Sequence, residues 1–311
     1  EIEIEKPEGF LGSYLGRALF PRPEYYYKGY QYSETVNDLL STLKPDIIFP
    51  YSFDAISAIN QYKTSFHVLT VALIVDMDHL VRKYRRKYSS IKSIKSLLRQ
   101  FRNIVAERKL KKTSMALLEN PDKIICSTYH HANLLKNQGL DNIRYFPVPV
   151  LDRPGEHWEA KNEYFQNLIS TPRIIMVGNV NGIATLSGLD YLENKLLIKL
   201  EEIQKEINFE LRIVGGGNMT QKRTAIFSKY SWMKIMGFVR DIAEEFHSSA
   251  VVLVPTTIPL GFRTRIAEAF SYGCCVIAHR SNAQGMPELE DRSNILLFDT
   301  GEEFIHTIKK C

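Results

Sequence analysis

The chain has 311 residues, 44% of them apolar, and 40 Lys and Arg against 35 Asp and Glu give a formal charge of +5. Length and apolar content suit two packed domains, while the slight positive charge fits an anionic substrate, a membrane surface or nucleic acid and selects none of them. No apolar run approaches the roughly 20 residues of a membrane span, no secretory leader is readable, and the four cysteines are too few and too scattered for a disulfide framework.

In chain order, short apolar runs alternate with helix-prone stretches. Strands are predicted at residues 46–50, 68–75, 123–126 and 143–146, then at 173–177, 209–214, 233–236, 250–254, 275–278 and 295–298. Runs that are apolar throughout, rather than alternating, suit parallel strands covered on both faces. Helices are predicted at residues 34–43, 188–207 and 242–248. Such alternation predicts an α/β, doubly wound architecture. Pro147, Pro149, Pro154 and Gly155 make a stiff stretch that cannot continue a helix. It divides the chain into domains at 1–150 and 151–311, with a polar connecting segment before Pro172. Cys274 and Cys275 open an apolar strand and read as buried thiols in a reducing compartment.

Residues 259–278 carry the densest chemistry. Gly261 lets the backbone approach a ligand. Arg263 and Arg265 supply planar, permanently charged donors suited to phosphate. The helix after them would point its first N–H groups at the same anion. Glu268, one or two turns in, is placed to accept from sugar hydroxyls, or is a carboxylate on the helix surface.

Gly261, Arg263, Arg265, Glu268, Ala269, Gly273, Val276 and Ile277 spell Gly-x-Arg-x-Arg-x-x-Glu-Ala-x-x-x-Gly-x-x-Val-Ile. Upstream come Gly178 and Asn179 after one strand, Gly215 to Gly217 after the next, and Gly237, Phe238 and Val239 after a third. Downstream lie Gln284, Gly285 and Asn294. In this order the pieces resemble the donor-binding half of retaining group-one (family four) glycosyltransferases over most of residues 172–310. The resemblance implies the GT-B fold, two Rossmann-like domains facing a cleft, with a nucleoside diphosphate sugar in the C-terminal domain and the acceptor in the N-terminal one. It implies donor contacts at Gly178, Asn179, Gly215, Phe238, Val239, Gly261, Phe262, Arg263, Arg265 and Glu268. It implies no metal and no cofactor beyond the donor substrate. Each glycine segment also reads as a plain turn or a flexible strand end.

The sequence departs from that family in three places. Asn179 stands where many relatives have arginine. Leu260 stands at the first acid of the Glu-x7-Glu motif. No buried strand precedes a glycine-rich loop near the N-terminus, where Gly9, Gly12, Gly16 and Gly29 lie among polar and aromatic residues.

In the first domain, Asp78 and His79 close the longest apolar strand, where an open α/β sheet binds ligands. The resemblance places His79 near the transferred sugar and Asp78 near the acceptor, making Asp78, His79 and Glu268 the catalytic candidates. Asp78 reads equally as a helix N-cap. His130 and His131 read as surface or packing residues. Residues 82–112 carry many Lys and Arg against a single acid, Glu107, with apolar residues at helical spacing. That is a basic amphipathic helix for an anionic bilayer, or a helix packed on its own domain with a solvated face. Its aromatics do not interleave with the basic residues, which argues against nucleic acid.

The sequence thus predicts a retaining, metal-independent hexosyl-type transferase, cytoplasmic with a peripheral contact at the inner membrane face. Its acceptor would be a glycan or lipid-linked sugar of polysaccharide or glycolipid assembly. The alternatives are a non-catalytic subunit of the same fold and a nucleotide-sugar epimerase.

Overall fold

The computed structural model describes residues 27–59, 68–88, 94–151, 159, 162–163 and 171–309. The glycine segment at 9–16 lies outside these residues, as does most of the connecting segment. Contacts divide the chain into two compact units, Glu1–Pro147 and Val148–Cys311.

The first unit is a parallel sheet of four strands, β1 (Ile47–Ile48), β2 (Leu69–Ile74), β3 (Lys123–Cys126) and β4 (Ile143–Tyr145), paired in chain order. Val71 pairs with Lys123, and Ile124 with Ile143. Helices α1 (Ser33–Leu43), α2 (Ser52–Ile59), α3 (Asp78–Lys87), α4 (Ile94–Leu118) and α5 (Tyr129–Lys136) connect and cover the strands. Its core is built from Ala72, Ile74, Ile124 and Ile143 on the strands, with Met77, Leu117, Leu118 and Leu135 from the helices.

The second unit is a six-stranded parallel sheet. Its strands are β5 (Arg173–Val177), β6 (Glu210–Val214), β7 (Met233–Gly237), β8 (Val251–Val254), β9 (Cys275–His279) and β10 (Leu296–Phe298). The order is β10-β9-β8-β5-β6-β7. Numbered within the unit this is the doubly wound order 3-2-1-4-5-6, which reverses between β5 and β8. Successive side chains on a strand face opposite ways. Ile174 and Met176 accordingly enter one core with Leu189, Leu200, Phe227 and Phe304. Ile175 enters the other with Phe246, Val252, Ile266 and Ala269. The central strand β8 is buried on both faces, at all four of its residues, and reads as an unbroken apolar run, whereas the edge strand β7 is mostly exposed.

The covering helices are α6 (Ile183–Tyr191), α7 (Leu197–Gln204), α8 (Gln221–Phe227), α9 (Ile242–His247), α10 (Thr264–Ser271) and α11 (Gly301–Ile308). Three sequence expectations change. The predicted helix at 188–207 starts earlier, at Ile183, and a π-helical turn at Leu192–Leu196 separates α6 from α7. The predicted basic helix at 82–112 is two helices, α3 and α4, separated between Lys87 and Ile94. Cys274 is buried, but Cys275 is exposed, because adjacent residues at a strand start cannot share a face.

Candidate functional site

The carboxyl ends of β5, β6 and β7 meet through glycines. Gly178 donates to Val214 O at 2.9 Å, Val180 to Gly216 O at 3.0 Å, and Gly215 to Gly237 O at 2.7 Å. Gly215 has φ +145°, and a Cβ there would stand 2.2 Å from Gly178 O. Gly178 has φ +147°, and a Cβ there would meet Thr185 Oγ1 at 2.6 Å and Arg265 Nη2 at 2.7 Å. Only glycine combines that backbone with that proximity.

Helix starts in this unit differ in their caps, and α7, which continues from the π-helical turn, has no side-chain cap. Helices α8, α9 and α11 are capped by the side chains of Thr220, Asp241 and Thr300. Helices α6 and α10 begin at Gly182 and Arg263 with no side-chain cap. Their first N–H groups are therefore available to an anion, with the positive end of each helix dipole behind them. Asn179 is exposed and serves its own loop, its Oδ1 accepting from the Asn181 N–H at 2.9 Å.

Arg265 is the cation at this end. Its Nη2 donates to Thr185 Oγ1 at 3.1 Å, in the first turn of α6. Burial lowers its pKa to about 10, partly offset by Glu268. Among the described residues it has no carboxylate within ion-pair distance. A desolvated guanidinium with one hydroxyl partner retains donors for a further acceptor. Glu268 is half-buried and its pKa is raised by burial, with Arg265 opposing that shift.

Arg263 corrects the sequence expectation of a phosphate contact. It is buried, and Nε donates to Asn282 Oδ1 at 2.8 Å. Its terminal nitrogens donate to the carbonyls of Ile258, Leu260 and Gly261. Asn282 in turn donates to the carbonyls of Val254, Thr256 and His279. Arg263 thus braces the loop before α10 from inside and is not aimed at a ligand. Leu260 is buried too, so the position of the missing first acid faces the core. Phe262 and Val239 are half-buried, and Phe238 is 81% exposed directly after β7 and next to Gly216.

Residues 171–311 match the family described as glycosyl transferases group 1. The match covers almost the whole second unit, which is therefore similar to the group 1 glycosyl transferases. No curated protein matches the chain in sequence. Solved structures share its fold along most of its length. Sucrose-phosphate synthase from Thermosynechococcus elongatus matches with TM-score 0.63 and 16% identity, over 89% of this chain and 67% of that one. HepE from Anabaena, in complex with UDP, matches with TM-score 0.61 and 13% identity, over 90% and 71%. Trehalose-6-phosphate synthase, in a study of glycosyltransfer with retention, matches with TM-score 0.58 and 14% identity, over 97% and 75%. The α/β fold with parallel sheets is that of the GT-B glycosyltransferases.

Within this second unit, the structure brings Gly178, Arg265 and Glu268 together and adds two residues that sequence reasoning missed. Thr185 holds Arg265, and Asn282 holds Arg263. Their signals were a hydroxyl in the first turn after a glycine loop and an amide just past the carboxyl end of β9.

Asp78 and His79 belong to the first unit. Met77 is the N-cap of α3 and Asp78 its first residue, with no side-chain capping bond, so the capping role for Asp78 falls away. Burial raises the Asp78 pKa, opposed by the Tyr27 hydroxyl and raised further by Asp54 and Asp76. His79 is 4% exposed, and its Nδ1 has no hydrogen-bond partner among the described residues. Burial lowers its pKa to about 4, with Lys111 and Lys83 adding to the shift.

Proposed function

We propose that the chain transfers a hexosyl group from a nucleoside diphosphate sugar to a glycan or lipid-linked acceptor in polysaccharide or glycolipid assembly. The observation that carries this reading is Arg265, half-buried and with no ion-pair partner among the described residues, beside Gly178 and Thr185 at the uncapped start of α6. A diphosphate is the ligand that this arrangement complements. The bond from the anomeric carbon to the diphosphate oxygen breaks, and its electron pair leaves on the diphosphate. Arg265 and the helix N–H groups stabilise that charge as it develops. The acceptor hydroxyl forms the new glycosidic bond and passes its proton to the departing diphosphate. Glu268 accepts from donor hydroxyls, and exposed Phe238 offers a face to the base. Retention of configuration and independence of a metal follow the family resemblance, and we assign no side-chain nucleophile.

UDP is the first nucleotide to try, since HepE binds UDP and UDP-glucose in its structures. Thermal shift and donor hydrolysis across a panel of nucleotide sugars test the reading. A ligand held by the native state raises Tm. At least one nucleoside diphosphate sugar should raise Tm and be hydrolysed slowly without acceptor, and Glu268→Gln should lower that turnover in a folded protein. A panel with neither stabilisation nor turnover overturns the reading.

A peripheral membrane contact is part of the proposal. Leu97, Leu98 and Phe101 are exposed at the start of α4, and Arg108, Lys111 and Lys112 are exposed further along the same helix. No helix among the described residues is long and apolar enough to cross a membrane. Binding to anionic vesicles that falls with salt supports the contact; equal binding to neutral vesicles removes the electrostatic part.

A further inference from the structure

The first unit contains a cavity of about 650 Å³ whose lining has no role in the donor site. Helix α3 contributes Arg82, Arg85 and Arg86 to it, and α4 contributes Asn103. The spacing of the arginines, i, i+3 and i+4, puts them on one helix face. Asp54, Asp78 and the Tyr27 hydroxyl complete the polar lining, and that hydroxyl is bonded to Ser114 Oγ at 2.7 Å and to Asp78. Asp54 lies in the helix that follows β1, and Asp78 opens the helix that follows β2, so both belong to the carboxyl-end side where an open parallel sheet takes ligands.

The partners divide these groups. Arg86 is paired with Glu107 at 3.3 Å. One oxygen of Asp54 accepts the Lys28 N–H at 2.7 Å. Arg82 and Arg85 are exposed and make no ion pair among the described residues, although the charge of Arg82 acts on Asp78. The cavity therefore offers two uncommitted guanidinium groups on one side and carboxylate and amide acceptors on the other. Guanidinium groups grip phosphate oxygens in pairs. Carboxylates accept from hydroxyls and repel a second phosphate. The volume lies within the roughly 300–1,000 Å³ of small-molecule sites.

We propose that this cavity binds a phosphate-bearing sugar, with Arg82 and Arg85 on the phosphate and Asp54 and Asp78 on the hydroxyls. Naming that ligand as the acceptor rests on the transferase reading above; the phosphate recognition itself does not. A soluble sugar phosphate and a lipid phosphate at a bilayer offer the same group, so two probes separate the sources.

Calorimetry on the full chain compares glucose 6-phosphate with glucose. Sedimentation compares phosphatidylcholine vesicles with and without phosphatidic acid. The phosphate-bearing probe should bind about tenfold or more tightly than its neutral counterpart in at least one arm, as expected for a charge-assisted contact. The arm that responds identifies the source. Arg82→Gln/Arg85→Gln should abolish the preference. Arg108→Gln/Lys112→Gln, a charge-matched change at exposed positions outside the cavity lining, should keep it. No preference in either arm, or a preference that survives Arg82→Gln/Arg85→Gln or is lost equally in both double variants, overturns the proposal. UDP binding measured in the same proteins isolates the donor reading. If the parent does not bind UDP, that reading fails alone; if UDP binds and the phosphate arms are flat, only this proposal fails.

Discussion

The two units mark their polar sites by different means. In the second unit the strand order reverses between β5 and β8. The chain leaves in opposite directions there, and the gap holds Gly178, the start of α6 and Arg265. Topology selects the place, and a single cation decorates it. In the first unit the four described strands follow one another in order, so no reversal opens among them. There the site is marked by side chains alone, a face of arginines opposite two carboxylates. A topological site depends on backbone that tolerates no Cβ; a side-chain site depends on charge.

The largest break in that contrast is a methyl group in the glycine contact. Gly215→Ala should destabilise the second unit by about 4 kcal/mol, since left-handed strain adds to a backbone clash. Gly237→Ala, at φ +69° with nothing within 4 Å of its added Cβ, should cost only about 1 kcal/mol. Denaturant unfolding measures both, and equal costs would show that the close approach of Gly215 and Gly178 does not matter.

Acid tests the first unit. Burial holds the His79 pKa at about 4, below its ordinary 6.5, so the unfolded chain binds more protons between those values. The stabilisation is complete above pH 6.5 and is lost as pH falls through about 4. The parent should lose about 3 kcal/mol more than His79→Asn between pH 7 and 4, by linkage. Parallel stability–pH curves for the two proteins would contradict the buried neutral imidazole.

The arginine pair sharpens the comparison within one loop. Arg263→Ala should cost about 2 kcal/mol of folding stability, because it leaves Asn282 and buried carbonyls unsatisfied. Arg265→Ala should leave stability nearly unchanged and weaken UDP binding by about 2 kcal/mol. Unfolding and calorimetry on both variants should therefore cross over; matched losses in both measurements would merge the two roles. The smallest effect is expected at Phe238, where Phe238→Ala should weaken UDP binding by about 1 kcal/mol and leave folding unchanged. Unaltered UDP affinity would leave that exposed ring outside the site.

These cases show what the sequence could and could not reveal. All ten strands lie where apolar runs place them; β8 reads without a break because both its faces are buried, while Arg144, Arg212 and Lys234 interrupt β4, β6 and β7 at partly buried or exposed positions. The glycines after β5 and β6 were legible as turns, since few other residues fit the close approach there. The split between Arg263 and Arg265 was not legible. Two arginines with one residue between them look alike until Asn282, 19 residues later, folds back and takes one of them. The cavity of the first unit escaped for a related reason. Arg82 and Arg85 read as part of a basic run until α3 and α4 separate and Asp54 comes in from another helix.

The Arg263–Asn282 clasp also has a consequence for the history of the chain. Each side chain is buried and bonded to the other, Arg263 holding also the carbonyls of Ile258, Leu260 and Gly261 and Asn282 those of Val254, Thr256 and His279. A change at one position strands polar atoms at both, so neither is free to drift alone. Among close relatives the two should persist together or be replaced together, most simply by an apolar pair of similar bulk. Arg265 carries no such tie and should change with the anion that it serves. The loop therefore holds two arginines under separate selection, one answering to the fold and the other, on the proposed reading, to the ligand.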